Sequence, residues 1–337
     1  MGVKMIKAIA LLSGGLDSTL STKLILEQGV EVEAVNFLTV FCNCTPRGKT
    51  CLVSKSAATK LGIKLKIFEV SKEYLGIVKN PKHGYGRNMN PCLDCRIFMF
   101  KRAGEYMREI GASFLVTGEV LGERPMSQRR EAMRIIEKES GLEGLILRPL
   151  SARLLEPTIP EKEGLIDREK LLAIKGRSRR PQIELAERLD INDYPCPAGG
   201  CLLTDPGFAG RIRDLKDHRP DFTLSDVQLL KVGRHFRLGP NTRLVVGRNE
   251  AENSRLANLA KDGDLRFNPS EIKGPMGIGR GVFGKNHILI VSRIIARYSD
   301  GNLDEELEIV YDRISENNIG HIVASPMKEE ELSILRI

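Results

Sequence analysis

The sequence predicts an α/β fold, a parallel sheet with helices on both faces, followed by a smaller α+β domain. Two observations predict it. From residue 6 to about residue 190, short apolar runs alternate with segments of helical periodicity, as in a parallel sheet covered by helices. A Pro- and Gly-rich break, "PCPAGG" at 195–200, then separates these units from further apolar runs.

Each predicted element rests on its own local pattern. The strands of the sheet are predicted at 6–12, 33–38, 65–70, 114–117 and 145–148. The helices are predicted at 18–27, 55–61, 96–110 and 127–140. A glycine favoured by left-handed C-terminal caps follows each helix, at Gly29, Gly62, Gly111 and Gly141. Beyond the break, "TRLVVGR" (242–248) and "NHILIVSRIIARY" (286–298) predict strands.

The pattern divides the chain into four segments. We expect an α/β domain at 1–190, a cysteine-containing linker at 191–224, a second domain at 225–300 and a C-terminal tail at 301–337. The 337 residues are enough for two buried cores. No apolar stretch approaches the ~20 residues that span a bilayer, so we expect a cytoplasmic protein with no membrane partner.

The charge of the chain is basic. A net charge of +8 and a pI of about 9.1 fit either a polyanionic partner or a merely basic surface. Basic residues concentrate at 176–181, 210–219 and 231–248, whereas the tail is acidic. We therefore expect the positive field in the middle of the chain.

One turn carries the first chemical signal, in "LLSGGLDSTLS" at 11–21. Gly14 and Gly15 let the backbone turn without Cβ clashes and bring N–H groups together beside a helix N-terminus, which favours an anion. Two hydroxyls, from Ser13 and Ser18, add donors, and Asp17 is suited to capping the helix or holding Mg²⁺. The alternative is an ordinary strand-to-helix turn.

This turn resembles the S-G-G-x-D-S turn of the PP-loop ATP pyrophosphatases, which have the adenine nucleotide alpha hydrolase-like fold. The resemblance implies that ATP is cleaved to AMP and pyrophosphate as a substrate oxygen is adenylated. It also implies an ATP site formed by Ser13, Gly14, Gly15, Asp17 and Ser18. A second glycine motif, "GRGVFG" at 279–284, is set aside as a dinucleotide site because we expect it to precede a strand rather than open a helix.

The seven cysteines suggest metal or redox chemistry, because a cytosolic chain disfavours disulfides. Cys92 and Cys95 form a C-x-x-C at a helix start, where the helix N-terminus and Arg96 favour thiolates that converge on one metal or cluster. The alternative is two reduced cysteines. Cys196 and Cys201 lie in the linker.

The segments "VTGEVLGERPMSQRR" (116–130) and "LRPLSARL" (147–154) resemble the tRNA-thiolating PP-loop enzymes, over about 6–205. The resemblance adds Thr117 and Gly118 to the nucleotide site. It implies a [4Fe-4S] cluster held by three cysteines, which we assign to Cys92, Cys95 and Cys196, with Cys201 as the alternative third ligand. Together with Asp17 these cysteines are the expected catalytic residues.

The sulfur chemistry keeps alternatives open. Two cysteines could instead act as a persulfide carrier and a resolving thiol, as in cluster-free thiouridylases. We see no rhodanese-like domain in the sequence, so the donor, sulfide or a persulfide carrier, is not fixed. Three further cysteines suit either a second metal or loop thiols: Cys42, Cys44 and Cys51.

The second domain, at about 230–295, resembles the RNA-associated domain of NFACT-type proteins, including a G-R-x-x-x-x-N run. Its basic residues interleave with Phe236, which suits phosphate contacts with a stacking ring, or else a solvated strand face. These residues are Arg234, His235, Arg237, Arg243 and Arg248.

The resemblance as a whole implies an ATP-dependent tRNA uridine thiolase, an AMP- and pyrophosphate-forming sulfurtransferase that makes 4-thiouridine or 2-thiouridine. ATP, Mg²⁺ and a [4Fe-4S] cluster are the expected cofactors, tRNA is the expected partner, and a homodimer is one assembly that it allows. Two other hypotheses stay open: a PP-loop adenylating ligase that transfers nitrogen, and an RNA-binding iron–sulfur sensor.

Overall fold

The computed structural model describes residues 6–42, 50–194, 201–302, 304–316 and 318–337, without the side chains of 50–52. The chain forms two compact units, Met1–Thr204 and Asp205–Ile337. Within the described ranges, no helix combines the length and apolar character needed to cross a bilayer.

The first unit contains a five-stranded sheet in the order β3-β2-β1-β4-β5. Its strands are β1 (Lys7–Leu11), β2 (Glu31–Leu38), β3 (Leu65–Glu69), β4 (Phe114–Thr117) and β5 (Ile146–Leu147). Every neighbouring pair is parallel. Because β1 lies in the centre, the loops that follow β1, β2 and β4 meet at one edge of the sheet.

Helices cover both faces of this sheet, which confirms the predicted α/β fold. They are α1 (Leu16–Leu26), α2 (Thr50–Lys60), α3 (Ser71–Lys79), α4 (Cys92–Glu109), α5 (Arg130–Ser140), α6 (Ile159–Lys162) and α7 (Arg180–Arg188). Ile9 of β1 packs in a core with α4 and α5, whereas its neighbours Ala8 and Ala10 pack in a core with α1. This alternation explains why β1 is apolar from Ala8 to Leu11.

The second unit contains an antiparallel sheet of six strands in the order β11-β10-β8-β9-β7-β6. These are β6 (Arg234–Gly239), β7 (Thr242–Val246), β8 (Leu265–Pro269), β9 (Gly277–Gly281), β10 (Leu307–Arg313) and β11 (Ile319–Ala324). Its helices are α8 (Pro206–His218), α9 (Leu224–Leu229), α10 (Glu250–Leu259), α11 (Lys285–Arg297) and α12 (Glu329–Leu335). The unit therefore includes α8, from the expected linker, and β10, β11 and α12, from the expected tail.

The strand predicted at 286–298 is wrong, because this segment is the helix α11. Its buried residues include Val291, Ile294 and Ile295, at helical spacing, and they pack against Phe236 and Phe267 of the sheet. A long run of β-branched residues fits a buried strand and a broad apolar helix face equally well, and only the packing decides.

The context assumed for "GRGVFG" is also wrong. Gly279 and Gly281 lie on β9, and Gly284 is the N-cap of α11, so the motif does follow a strand and open a helix. However, β9 runs antiparallel to both of its neighbours. The parallel βαβ unit that a dinucleotide site requires is therefore absent from this segment.

Candidate functional site

The glycine turn after β1 has the geometry of an anion site. Gly15 is the N-cap of α1, and no described residue accepts a hydrogen bond from the backbone N–H of Leu16, Asp17 or Ser18. The hydroxyl of Ser18 donates to the carbonyl of Gly15 at 2.9 Å. The first N–H groups of a helix have no partner within it, so they are available to an anionic ligand.

Of the two glycines of the turn, Gly14 has no room for a side chain, whereas Gly15 does. Gly14 has a φ of +79°, and a Cβ there would lie 2.5 Å from the side chain of Val53 and 2.7 Å from the nitrogen of Ser54. Among the described residues beyond its chain neighbours, a Cβ at Gly15 would contact the hydroxyl of Ser13 alone, at an ordinary 3.4 Å. The close approach of α2 therefore requires glycine at residue 14.

The segment after β4 contacts the same turn. A Cβ on Gly118 would lie 2.4 Å from the nitrogen of Ser18 and 2.5 Å from the carbonyl carbon of Asp17. The residues predicted to bind the nucleotide thus lie together at this sheet edge: Ser13, Gly14, Gly15, Asp17, Ser18, Thr117 and Gly118. Their roles stay predictions.

Sequence reasoning missed two charged residues beside Asp17. Asp17 does not cap α1, and its Oδ2 instead lies 3.3 Å from Nη2 of Arg179, which comes from the basic segment 176–181. Burial and the charge of Asp17 raise the pKa of Glu123, while Arg124 and Arg179 oppose the change. No local motif could reveal these contacts, because Arg179 is 162 residues from Asp17.

The structure brings the C-x-x-C together with two other thiols. Cys92 and Cys95 lie on the first turn of α4, as predicted, and Cys42 follows β2 at the same sheet edge. Cys201 precedes a segment that is anchored beside them. Leu202 donates its N–H to the carbonyl of Phe41 at 3.0 Å, and Met89 donates its N–H to the carbonyl of Leu203 at 3.1 Å.

These four thiols interact electrostatically. Burial, together with the neighbouring Cys95, Cys42 and Cys92, raises the pKa of Cys201 to about 12, against a hydrogen bond from the backbone of Leu203. Burial also raises the pKa of Cys95, against the opposing effects of the Tyr74 hydroxyl and Arg96. Cys92, Cys95 and Cys201 therefore share a poorly solvated environment that keeps their thiols protonated unless a cation compensates the charge.

No group of three or more His, Cys, Asp or Glu side chains in the described part of the chain has the arrangement of a metal site. Cys44, the side chain of Cys51 and Cys196 lie outside the described residues. The expected role of Cys196 therefore stays a prediction.

A chain of charged side chains, buried at Glu119 and Arg148, runs from the thiols toward the glycine turn. Arg96 of α4 lies 3.4 Å from Glu119, which directly follows Gly118 and is 1% exposed. Glu119 also accepts from Nε of Arg148 at 3.0 Å. These contacts fix the start of α4 relative to the β4 loop, so the two halves of the edge are held in one arrangement.

The arginines of the second unit mostly serve the fold. Arg237, Arg243 and Arg280 stand opposite one another on β6, β7 and β9, and we call them the arginine row. Like charges directly across strands repel. Each is therefore paired with a carboxylate: Arg237 with Asp214 at 2.5 Å, Arg243 with Asp226 at 3.3 Å and Arg280 with Asp264 at 2.6 Å.

The prediction that this strand face contacts phosphate is wrong for its central residues. Arg243 is 5% exposed, His235 is 3% exposed and Phe236 is fully buried, so Phe236 is not a stacking ring. The prediction failed because the carboxylates that neutralise these arginines lie 17 to 23 residues away in sequence. The G-R-x-x-x-x-N run is likewise structural at its end, since Oδ1 of Asn253 accepts from the N–H of Met276 at 3.0 Å.

Asp226 should be the most sensitive carboxylate of the arginine row. It is fully buried and contacts Arg243, Arg280 and the N–H of Thr223. Asp226→Asn should lower the free energy of unfolding of the second unit by about 3–5 kcal/mol, because it leaves buried guanidinium charge without a partner. Denaturant unfolding of the full chain measures this, and the exposed Asp221→Asn should cost less than about 0.5 kcal/mol.

The effect should depend on pH. Burial raises the pKa of Asp226, but hydrogen bonds from Thr223 and the charge of Arg243 outweigh it and lower the pKa from 3.8 to about 2. A lowered folded pKa stabilises the fold above the unfolded pKa, and the contribution is lost as pH falls toward 2. Equal stability of the two variants at neutral pH would contradict this account.

Comparisons with known proteins agree with the two units. The family model "Thiamine biosynthesis protein (ThiI)" matches residues 4–154, and the model "NFACT protein RNA binding domain" matches residues 233–335. The "Probable tRNA sulfurtransferase" of Thermococcus kodakarensis is 29% identical over 188 residues, which are 53% of this chain and 44% of that protein. The chain thus spans less than half of that relative.

A second relative is matched over more of its length. The "tRNA-specific 2-thiouridylase MnmA" of Pseudomonas aeruginosa is 25% identical over 284 residues, 77% of this chain and 74% of that protein. Among solved structures, a 4-thiouridine synthetase in complex with RNA and bound ATP is 21% identical, with a TM-score of 0.35 over 66% of this chain and 52% of that chain. A TM-score this low adds no argument to the topology and the sequence matches.

The names of both relatives agree with the enzyme class that the sequence predicts. The parallel sheet and the glycine turn agree with these matches. The first unit is similar to the ThiI family over residues 4–154, and the second unit is similar to the NFACT RNA-binding domain family over residues 233–335.

Proposed function

We propose that the protein transfers sulfur to a uridine of tRNA in an ATP-dependent reaction that forms AMP and pyrophosphate. One observation carries the proposal: a single sheet edge holds both the glycine turn at the start of α1 and four interacting thiols. Open α/β sheets bind their ligands at this carboxyl edge. The matched tRNA-thiolating relatives and the RNA-binding family model support tRNA as the substrate.

The turn would act on ATP by position and charge. The free N–H groups at the start of α1 and the hydroxyl of Ser13 would hold the pyrophosphate portion, with Arg179 close by. The uridine carbonyl oxygen attacks the α-phosphorus, a new P–O bond forms, and the bond to the β-phosphate oxygen breaks. Bound charge and orientation then account for most of the rate gain.

Asp17 fits a role in holding Mg²⁺. Its Oδ1 is buried and accepts no hydrogen bond from a described residue. Glu123 is a second carboxyl nearby, since the charge of Asp17 raises its pKa. Oxygen donors of this kind suit the ion. When bound, Mg²⁺ would neutralise charge on the departing pyrophosphate.

The thiols supply the second step. Sulfide adds to the carbon that carries the adenylate, AMP leaves with the former carbonyl oxygen, and loss of a proton gives the C=S bond. The donor set suits a [4Fe-4S] cluster in its chemistry, since cysteine thiolates are the usual ligands and Cys92, Cys95 and Cys201 interact with one another. The cluster would supply a place to hold and activate sulfide.

The proposed cluster ligands are Cys92, Cys95 and one linker cysteine. The contacts of Leu202 and Leu203 place Cys201 beside the pair, whereas Cys196 is outside the described residues. Comparing Cys196→Ser with Cys201→Ser by iron content and by the charge-transfer absorption of the reconstituted protein would identify the third ligand. A persulfide on two cysteines is the competing route.

The direct test is nucleoside mass spectrometry. Full-length protein, reconstituted anaerobically with iron and sulfide, is incubated with unmodified tRNA, Mg-ATP and sulfide, beside a control without ATP. We expect a thiouridine that depends on ATP, and its retention time gives the 2-thio or 4-thio isomer. Bound tRNA and an intact cluster without any thiouridine would contradict the proposal and favour the ligase or sensor hypotheses.

A further inference from the structure

We propose that Arg211, Arg234 and Arg248 form a phosphate clamp at one end of the β6–β7 hairpin, and that the clamp binds the sugar–phosphate backbone of tRNA. The choice of tRNA rests on the proposed function, whereas the location rests on the second unit itself. Arg211 lies on α8, outside the residues 233–335 that match the RNA-binding family model. Arg234 and Arg248 lie inside the matched range, and Arg211 is the member that the family match does not cover.

Two Gly-Arg pairs build the hairpin end. Arg234 follows Gly233 at the start of β6, and Arg248 follows Gly247 just after β7. Nη1 of Arg234 donates to the carbonyl of Gly247 at 3.1 Å, and Nη2 of Arg248 donates to the carbonyl of Gly233 at 2.9 Å. These reciprocal bonds hold two guanidinium groups together while leaving other N–H donors on each.

Close backbone packing fixes the pairs in place. Gly233 has a φ of +79°, and a Cβ there would lie 2.6 Å from the carbonyl oxygen of Val246. The guanidinium of Arg234 also stacks 4.3 Å from the ring centroid of Tyr298. The two arginines are therefore preorganised, which lowers the entropy lost when an anion binds.

The third arginine comes from α8, which contacts β6 through an ion pair. Asp214 of α8 pairs with Arg237 of β6. Arg211 precedes Asp214 by three residues and so shares its helix face, and His235 precedes Arg237 by two residues and shares its strand face. Burial lowers the pKa of His235, and the charge of Arg211 lowers it further, so Arg211 lies near the start of β6.

Arg211 has donors but no acceptor. It makes no hydrogen bond to a described residue, and its Nε is buried. Burial lowers the pKa of Arg211, and the charge of Arg248 lowers it further, against the opposing charge of Asp205. A partly desolvated guanidinium beside another one is costly without a bound anion.

Two carboxylates face the clamp, and both are already engaged. Asp205 caps α8 by accepting from the N–H of Phe208 at 2.7 Å. Glu252 accepts from the N–H of Arg248 at 3.0 Å and pairs with its side chain at 3.3 Å. Three guanidinium groups and two carboxylates leave the clamp with net positive charge. A phosphodiester suits it because its oxygens carry negative charge and accept hydrogen bonds.

The test compares two arginines of α8 in the full-length protein. Arg211→Gln should weaken tRNA binding by about five-fold and reduce the slope of log K against log salt by about 1, as expected for one lost phosphate contact. Arg213→Gln, an exposed residue on a different face of the same helix, should change neither quantity. Filter binding across a salt series measures both.

Further variants separate the clamp from a folding effect. Arg211→Lys should restore the salt slope, and the thermal midpoint of Arg211→Gln should match that of Arg213→Gln. Unchanged tRNA binding in Arg211→Gln, equal losses in both glutamine variants, or a wild-type chain that does not bind tRNA would overturn the clamp. A wild-type chain that binds tRNA through Arg211 without making thiouridine would instead contradict the proposed function alone.

Discussion

Replacing Gly118 with alanine should reduce the tRNA-dependent release of pyrophosphate by roughly 100-fold or more, because a misplacement of about 1 Å at a reacting centre costs this much. The new Cβ would lie 2.4 Å from the nitrogen of Ser18 and 2.5 Å from the carbonyl carbon of Asp17. Both are backbone atoms, so the start of α1 must move. The N–H groups proposed to hold the pyrophosphate portion would move with it.

A matched substitution separates this effect from a general cost of alanine. At Gly76 of α3, no described residue beyond its chain neighbours and its own helix backbone comes within 4 Å of the position that a methyl group would occupy. Gly76→Ala should therefore retain pyrophosphate release and should not destabilise the helix. Pyrophosphate release by both variants is measured with saturating Mg-ATP and tRNA, together with their thermal midpoints. Normal release by Gly118→Ala would show that the β4 loop does not position the turn.

What the sequence predicts well is local. The glycine turn, the start of α4 at the C-x-x-C and the parallel strands each depend on residues close together in the chain, so pattern and turn chemistry suffice. The helix α3 escaped prediction because Gly76 interrupts its pattern. The segment of α11 was misassigned because its apolar residues fit two periods.

What the sequence could not predict is which distant segments meet. The pairing of Arg179 with Asp17 and the placement of Cys201 beside Cys42 and Cys95 join residues from separate loops of the same unit. In the second unit, the basic residues of β6 and β7 suggest a nucleic-acid surface in the sequence, but the structure pairs Arg237 and Arg243 with carboxylates of the same unit. Charge in a sequence shows that a partner is needed, but not whether that partner is internal.

Cys95→Ser should separate the two proposed half-reactions. Cys95 interacts with three other thiols, and Arg96, whose charge acts on Cys95, links it to Glu119 beside Gly118. We expect thiouridine formation to fall by roughly 100-fold or more, because serine supplies neither a thiolate ligand nor a sulfur nucleophile. Release of pyrophosphate in a single turnover with tRNA should stay within about two-fold of wild type, since positioning at the turn is intact.

Asp17→Ala gives the reciprocal pattern and makes the comparison decisive. It should abolish both pyrophosphate release and thiouridine formation, because sulfur transfer needs the adenylated uridine. Mass spectrometry of the tRNA and a pyrophosphate assay on the same reactions measure both steps. Thiouridine formed by Cys95→Ser would remove this cysteine from the sulfur step. Loss of both products in Cys95→Ser, at an unchanged thermal midpoint, would mean that the thiols and the phosphate turn act as one inseparable site.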